Sequence, residues 1–165
     1  MPWRGLEQEA WAIDEGWTLA EQVTEQIVVR APLKRCYEVA SQIDSYVEWV
    51  PHMREAEVLD RDRKKRPKKV VFKVGAFGRS TSYTLEYNYS NAPRELSWVH
   101  VDGDLLSKLD GSYSFDELSD GSTEVTYRLV AELKVPLPGF VKKRAESLVM
   151  HAALSEFKAR AEAET

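Results

Sequence analysis

A run of six segments in which apolar and polar residues alternate limits the fold more than any other feature of the chain. The segments are Ala56–Val58, Val70–Val74, Tyr83–Tyr89, Leu96–His100, Leu109–Phe115 and Val125–Leu133. A period of two is typical of strands with one buried face. Turn sequences such as Ser119-Asp120-Gly121 separate neighbouring segments. Short connections join antiparallel neighbours, so the run predicts a largely antiparallel sheet with one wet and one buried face.

The residues before this run predict one more strand and two short helices. Val23, Ile27 and Val29 alternate with polar residues, which predicts a strand over residues 21–30. Pro32 suits the first turn of a helix. Apolar residues then follow at helical spacing: Leu33, Cys36, Val39, Ala40 and Ile43. Asp44 is placed to cap a second short helix over residues 45–50, which Pro51 ends.

The C-terminal part of the chain predicts one long helix with two apolar faces. It begins near Pro138 and extends to about Ala163, a length on the order of 39 Å. One face carries Val141, Ala145, Leu148, Val149, Ala152 and Ala159, and the other carries Met150, Ala153, Leu154 and Phe157. We expect the smaller residues of the first face, with Ser155, to lie opposite the sheet. The second face then needs a cover of its own.

The first 18 residues form a separate extension, and residues 19–165 form the domain. Trp3, Leu6, Ala10, Ile13 and Trp17 share one helical face. One interpretation is a helix that docks on its own domain, against Met150, Leu154 and Phe157. The other is a lid or a dimer arm.

Composition excludes several classes of protein. The chain has 165 residues with 23 basic and 27 acidic side chains, a formal net charge of −4, which argues against a nucleic-acid-binding protein. Cys36 is the only cysteine, so no internal disulfide forms, and its place on an apolar helix face favours packing over catalysis. The N-terminus lacks the apolar run of a signal peptide, and no stretch is long and apolar enough to span a bilayer. We therefore expect a cytoplasmic protein that is not transmembrane.

The inward positions of the predicted sheet are rich in rings. They are Phe72, Tyr83, Tyr87, Trp98, Tyr113, Phe115 and Tyr127. Such rings suit an apolar ligand cavity with a few hydroxyl contacts, or else a filled aromatic core. His100 follows the same inward alternation, and a histidine there is suited to proton transfer.

The order of elements and three local motifs resemble the START-like helix-grip superfamily, in particular its polyketide cyclase/dehydrase and lipid-transport branch and the related coenzyme-Q-binding proteins. The motifs are Ala31-Pro32, Asp44-x-Tyr46-x-x-Trp49-x-Pro51 and Pro136-Leu137-Pro138-Gly139-Phe140. The resemblance covers roughly residues 21–162. It implies an α+β helix-grip fold. In that fold a curved antiparallel sheet of about seven strands wraps round the long C-terminal helix, with two short helices after the first strand and a cavity between sheet and helix.

The resemblance implies a binder of an apolar or aromatic small molecule, such as a lipid, a quinone or a polyketide-like compound. The expected ligand-binding residues are Trp49, Phe72, Tyr83, Tyr87, Trp98, His100, Tyr113, Phe115, Tyr127, Arg144, Leu148 and Ala152. The alternative is a polyketide aromatase/cyclase or dehydratase that acts on a carrier-bound intermediate, with His100, Tyr113 and Tyr127 as catalytic candidates. Nucleophile-elbow, metal-histidine and P-loop motifs are missing from the sequence, so we expect no metal or cofactor.

Residues 61–69 form a basic run that holds only one acid, Asp62. Its place between two predicted strands favours a solvated hairpin loop. The alternative is a docking patch for an acidic carrier protein or an anionic phospholipid surface.

Overall fold

The structure is a computed structural model that describes residues 22–76, 78–135 and 139–163. The predicted N-terminal helix lies outside these residues. In the described chain no helix is both long and apolar enough to cross a membrane.

Seven strands form one antiparallel sheet in the order β1-β7-β6-β5-β4-β3-β2. The strands are β1 Gln22–Val29, β2 Met53–Arg61, β3 Pro67–Ala76, β4 Arg79–Asn88, β5 Glu95–Gly103, β6 Leu106–Glu117 and β7 Thr123–Leu133. The helices are α1 Leu33–Ser41, a 3₁₀ helix at Ile43–Glu48, and α2 Gly139–Glu162. The predicted α+β architecture is confirmed.

The first strand pairs with the last, so β1 and β2 form the two edges of the sheet. Gln22 lies opposite Val130, and Val29 lies opposite Thr123. The hydroxyl of Thr123 donates a hydrogen bond of 2.8 Å to the carbonyl of Ala31, which fixes the corner where β1 leads into α1. The helix α1 and the 3₁₀ helix then carry the chain to the opposite edge of the sheet.

The second short helix differs from the prediction. It is a 3₁₀ helix that begins at Ile43, and no side chain caps it. Asp44 therefore lies inside the first turn rather than before it. Its carboxylate accepts a hydrogen bond of 3.0 Å from the guanidinium of Arg61 in the β2–β3 hairpin. The predicted capping role of Asp44 is wrong because this carboxylate is committed to a different element.

The basic run forms the β2–β3 hairpin, as the sequence favours. Asp62 accepts hydrogen bonds from the backbone N–H groups of Lys64 and Arg66, each 2.9 Å long. It also pairs with the Arg66 guanidinium at 2.7 Å, and that guanidinium lies 4.4 Å from the ring centre of Tyr89. The one acid of the run therefore closes the turn.

The two faces of α2 are the reverse of the prediction. Among the described side chains of α2, the buried ones are Met150, Ala153, Leu154, Phe157 and Ala161. Leu148, which we expected opposite the sheet, is 65% exposed. Both faces are apolar, so periodicity cannot choose between them. The wider side chains fill the space over the sheet, which the alanine-rich face would leave empty.

Hydrogen bonds at the C-terminal end of α2 hold it to β1 and α1. The ammonium of Lys158 donates to the carbonyl of Val28 at 3.0 Å, and Glu162 accepts from the backbone N–H of Arg30 at 2.7 Å. The Arg35 guanidinium donates to the carbonyls of Arg160 and Ala161, two of the last residues of the helix. The two hydrogen bonds from Arg35 satisfy carbonyls that a helix end otherwise leaves without partners.

Candidate functional site

The concave face of the sheet carries the predicted rings at alternate positions of adjacent strands, and the structure brings all seven together. Phe72 on β3 lies opposite Tyr83 on β4, with ring centres 5.5 Å apart. Tyr87 lies opposite Trp98 at 5.9 Å, and Tyr113 lies opposite Tyr127 at 4.7 Å. Trp98 joins the second pair to the third because its ring centre is 5.5 Å from that of Tyr113. Phe115 stacks on Tyr113 at 6.4 Å.

Trp98 has its position because its partner in β6 is a glycine. The backbone of Gly111 lies opposite Trp98, and a Cβ atom built there would come within 2.6 Å of Cζ2 of the indole. The indole therefore lies against the bare α-carbon. Its Nε1 atom is buried and has no hydrogen-bond partner among the described residues.

The tyrosines of the interior fall into two groups. The hydroxyls of Tyr46 and Tyr89 donate to the carbonyls of Ala40 and Pro67. Four others make no hydrogen bond within the described part of the chain: Tyr83, Tyr87, Tyr113 and Tyr127. These four belong to the ring cluster on the sheet.

Burial raises the pKa of these four phenols. For Tyr127 burial raises the pKa to about 12. For Tyr87 and Tyr113 burial is again the first cause, followed by neighbouring tyrosines, and the pKa lies well above the usual value. The pKa of Tyr83 is raised for the same reasons. At neutral pH the phenols are therefore uncharged and available as hydrogen-bond donors.

A β-bulge follows His100 in β5. Leu85 lies opposite His100 and Thr84 opposite Asp102, which leaves Val101 as an extra residue in β5. Strict alternation would point Asp102 inward, whereas the bulge brings Gly103 to that face, opposite Tyr83. A Cβ atom at Gly103 would lie 2.9 Å from Nε2 of His100, so the imidazole lies against the glycine backbone.

His100 has one defined hydrogen bond. Its backbone N–H donates to a carboxylate oxygen of Asp110 at 2.8 Å. The pairing of β5 with β6 ends at Trp98 and Gly111, so this carboxylate takes the place of a strand carbonyl. The side-chain Nε2 atom is buried and without a partner in the ranges that the structure describes. The histidine thus presents an unused ring nitrogen close to Tyr83.

Helix α2 closes one end of the interior with a ring. Phe157 lies 5.5 Å from Tyr113 and 6.4 Å from Phe115, between ring centres. It also contacts Trp49 at 5.7 Å, so Trp49, an expected site residue, lies at this closed end. The rings of Tyr83, Tyr87, Trp98 and Tyr127 contact sheet residues and have no ring contact with residues 144–162, the part of α2 whose side chains the structure describes.

Three expected site residues on α2 lie away from the ring cluster. Arg144 and Leu148 are exposed, and Ala152 is half-buried. Tyr46 and Phe157 lie inside and are not among the expected site residues. Tyr46 belongs to the motif that supports the family resemblance, and its ring stacks on Phe72 at 6.0 Å. The spacing of Phe157 with Met150 and Leu154 was the available signal.

A model of the polyketide cyclase/dehydrase and lipid transport family matches residues 29–158, most of the chain. The chain belongs to this family. No curated protein matches it by sequence.

Solved structures of similar shape show the same helix-grip fold. A START superfamily protein from Mycobacterium smegmatis has a TM-score of 0.82 at 23% identity, over 87% of this chain and 99% of that chain. The Zhui aromatase/cyclase from Streptomyces sp. R1128 has a TM-score of 0.75 at 16% identity, over 87% and 94%. A protein from Thermus thermophilus has a TM-score of 0.73 at 18% identity, over 88% and 99%.

Two kinds of chemistry find no support in the described residues of this family member. No group of three or more His, Cys, Asp or Glu side chains is placed to hold a metal ion there. Cys36 is fully buried, and burial raises the pKa of its thiol, which disfavours the nucleophilic thiolate. Among the described residues on the concave face, the polar groups without a hydrogen-bond partner include the four phenols, the indole N–H of Trp98 and Nε2 of His100.

Proposed function

We propose that the protein binds an apolar, ring-containing small molecule between the concave face of the sheet and α2, and that residues 19–165 form this ligand-binding domain. The observation that carries the proposal is the buried Nε1 of Trp98, which has no partner within the described residues. Buried polar groups in native proteins nearly always have hydrogen-bond partners. A ligand that displaces the side chains around the indole and accepts this hydrogen bond accounts for the exception.

The four phenols without hydrogen-bond partners are further support for a ligand-binding space between the sheet and α2. Tyr83 and Tyr127 are only half-buried by surface area, yet both lie deep enough for burial to raise the pKa of the phenol. A side chain that combines these properties faces a space within the protein rather than open solvent. Tyr87, Trp98 and Tyr127 have no ring contact with the described side chains of α2, which supports a space at the end of the interior away from Phe157.

The polar groups also indicate which ligand chemistry fits. An indole N–H can only donate, and a neutral phenol donates when its hydroxyl has no other acceptor. A matching ligand therefore presents acceptor oxygens on a flat apolar frame. Carbonyl oxygens of quinones and of aromatic polyketides have this character.

Paired tyrosine variants test the proposal. The probes are menadione, which carries two carbonyl oxygens, and 2-methylnaphthalene, which has the same ring frame without them. Tyr127→Phe is expected to weaken menadione binding by about tenfold, the value of one hydrogen bond, and to leave 2-methylnaphthalene binding unchanged. Tyr46→Phe is the matched control, because the Tyr46 hydroxyl already bonds to Ala40. It should lower stability without changing either affinity.

The alternative to a ligand-binding space is an interior that the aromatic side chains fill completely. In that case neither probe quenches tryptophan fluorescence, and native mass spectrometry of the purified protein finds no bound molecule. Tyr127→Phe then changes nothing in any binding titration. That set of results overturns the proposal.

A second function, aromatase/cyclase or dehydratase activity on a carrier-bound polyketide, is favoured by one specific observation. The unpartnered Nε2 of His100 lies buried against Gly103, next to Tyr83 of the ring cluster. One of the similar structures is an aromatase/cyclase. His100→Ala should cut the rate on an aromatisable polyketide analogue and leave its affinity within a few-fold. If affinity and rate fall together, His100 positions the ligand instead.

The β2–β3 hairpin is the proposed docking patch for the acidic carrier protein in this second function. Two of its cations are committed, since Arg61 bonds to Asp44 and Arg66 to Asp62. Arg63, Lys64, Lys65 and Lys68 are exposed and can meet an acidic surface. Replacing Lys64 and Lys65 by Gln should slow association with the carrier, most strongly at low salt. A rate that is independent of both substitutions would exclude the hairpin.

A further inference from the structure

The outward face of α2 is apolar apart from Glu156, which is exposed between Ala152 and Ala159. Leu148 and Val149 are 65% and 61% exposed, and Ala145 and Ala159 are exposed on the same side. This side lies opposite the face that Phe157 and its buried neighbours turn towards the sheet. A helix that is apolar on two opposite sides has to be covered on both. Within the described residues, the sheet and α1 cover one of them.

The sequence before β1 carries a stripe that matches this face in chemistry and in length. Trp3, Leu6, Ala10, Ile13 and Trp17 recur at helical spacing. As a helix, residues 3–17 would extend for about 21 Å, the same as the distance from Ala145 to Ala159 along α2 at 1.5 Å per residue. The small alanines of α2 leave room for large tryptophan rings.

The path of the chain brings residues 1–21 close to the end of the molecule at which α2 begins. Gln22, the first residue of β1, lies opposite Val130, close to the end of β7 at Leu133. Residues 134–138 alone separate β7 from the start of α2. At the other end, Arg30 bonds to Glu162, so β1 and α2 lie side by side and point the same way. The chain before Gln22 therefore departs from the corner at which α2 begins.

Charge supports the same pairing. Residues 1–21 contain one basic residue, Arg4, against five acidic residues, Glu7, Glu9, Asp14, Glu15 and Glu21. The first turns of α2 contain Lys142, Lys143 and Arg144 in sequence, and Arg144 is exposed. The two segments are complementary in charge as well as in apolar pattern.

We propose that residues 3–17 dock as an amphipathic helix on the outward face of α2, defined by Ala145, Leu148, Val149, Ala152 and Ala159. The occupant is the protein's own N-terminal segment. This pairing replaces the face that the sequence pattern first suggested for it, because Met150, Leu154 and Phe157 already pack inside.

A double-mutant cycle in the full chain tests this proposal. Trp17→Ala and Leu148→Ser are each expected to lower Tm by about 5 °C, because each removes one side of a buried contact. The double variant should melt no lower than the less stable single variant. Leu59→Ser is the matched control, since Leu59 is 52% exposed on β2. Its effect should be small and additive with that of Trp17→Ala.

Three results overturn the proposal. In the first, Leu148→Ser leaves Tm unchanged, which shows that nothing covers the outward face of α2. In the second, light scattering shows a dimer that Leu148→Ser dissociates and Trp17→Ala does not, which makes a second copy the occupant. In the third, the protein co-sediments with phosphatidylcholine/phosphatidylglycerol vesicles and Leu148→Ser abolishes this binding, while the Tm changes of Trp17→Ala and Leu148→Ser are additive. A lipid surface is then the occupant.

Discussion

The indole of Trp98 lies against the α-carbon of Gly111, so that a Cβ atom there would approach two indole atoms to 2.6 and 2.9 Å and the carbonyl of Arg128 to 2.6 Å. Gly111→Ala should therefore displace the indole or the strand. We expect a loss of about 1–3 kcal/mol in the free energy of unfolding, as for other overpacked cores.

Urea denaturation and tryptophan fluorescence measure this effect. Ser112→Ala, at the next residue on the opposite face of β6, is the control and should change stability by less than about 0.5 kcal/mol. If Gly111→Ala is as stable as the parent and its fluorescence is unchanged, the interior has free space beside Trp98 on the β6 side.

The alternation of Trp98 and His100 shows how much of the site the sequence predicts. The alternation of apolar and polar residues predicted correctly that the rings share one face, because the ring-bearing parts of β3 to β7 pair regularly. It could not show the extra residue Val101, which follows His100, turns Asp102 out and brings Gly103 inside. A bulge depends on the pairing between strands, and a single strand's pattern does not contain that information.

The orientation of α2 is a feature that the sequence pattern could not predict. Leu148 and Phe157 lie on opposite faces of equal apolar character, so periodicity predicts two buried faces without assigning either one. The assignment depends on volume, because the sheet leaves a space that Phe157 fills and Ala152 would not. Similarly, the position of Tyr46 under Phe72 depends on how the 3₁₀ helix crosses the sheet.

Phe157 should be the most costly residue of α2 to truncate. It is fully buried and contacts the rings of Trp49, Tyr113 and Phe115. Phe157→Ala is expected to cost about 3–5 kcal/mol of stability, the usual range for an aromatic ring removed from a core. Leu59→Ala, at an exposed position, should cost less than about 0.5 kcal/mol. Similar losses in the two variants would show that α2 does not pack through Phe157.

Glu162 should make the stability depend on pH in the acid range. The hydrogen bond from Lys158 and that from the backbone N–H of Arg30 hold the pKa of this carboxyl below its ordinary value. The stabilisation is therefore fully present above the unfolded pKa of about 4.3 and is lost as the pH falls through the lower folded pKa.

Glu162→Gln should lower Tm at pH 7 and have a smaller effect near pH 3, where the parent carboxyl is also neutral. Thermal melts across this range measure the difference. Glu57→Gln, at an exposed site on β2, is the control and should leave both melts nearly unchanged. An equal drop at both pH values would show that Glu162 acts through shape rather than charge.

The interior tyrosines should make the protein unfold in alkali. Burial raises the pKa of Tyr127 to about 12 and those of Tyr87 and Tyr113 well above the usual value. A raised folded pKa means that the stabilisation is present below the unfolded pKa of about 10 and is lost as the pH rises above it towards the folded values.

Phenolate absorbance and far-ultraviolet circular dichroism, followed together from pH 8 upwards, test this. Ionisation of the buried tyrosines should coincide with loss of the sheet, and Tyr113→Phe should make the loss of stability less steep. If most phenols ionise near pH 10 while the sheet persists, solvent reaches the rings freely. In that event the phenols are not the buried neutral donors that the proposed ligand site requires, because open water would already satisfy their hydroxyls.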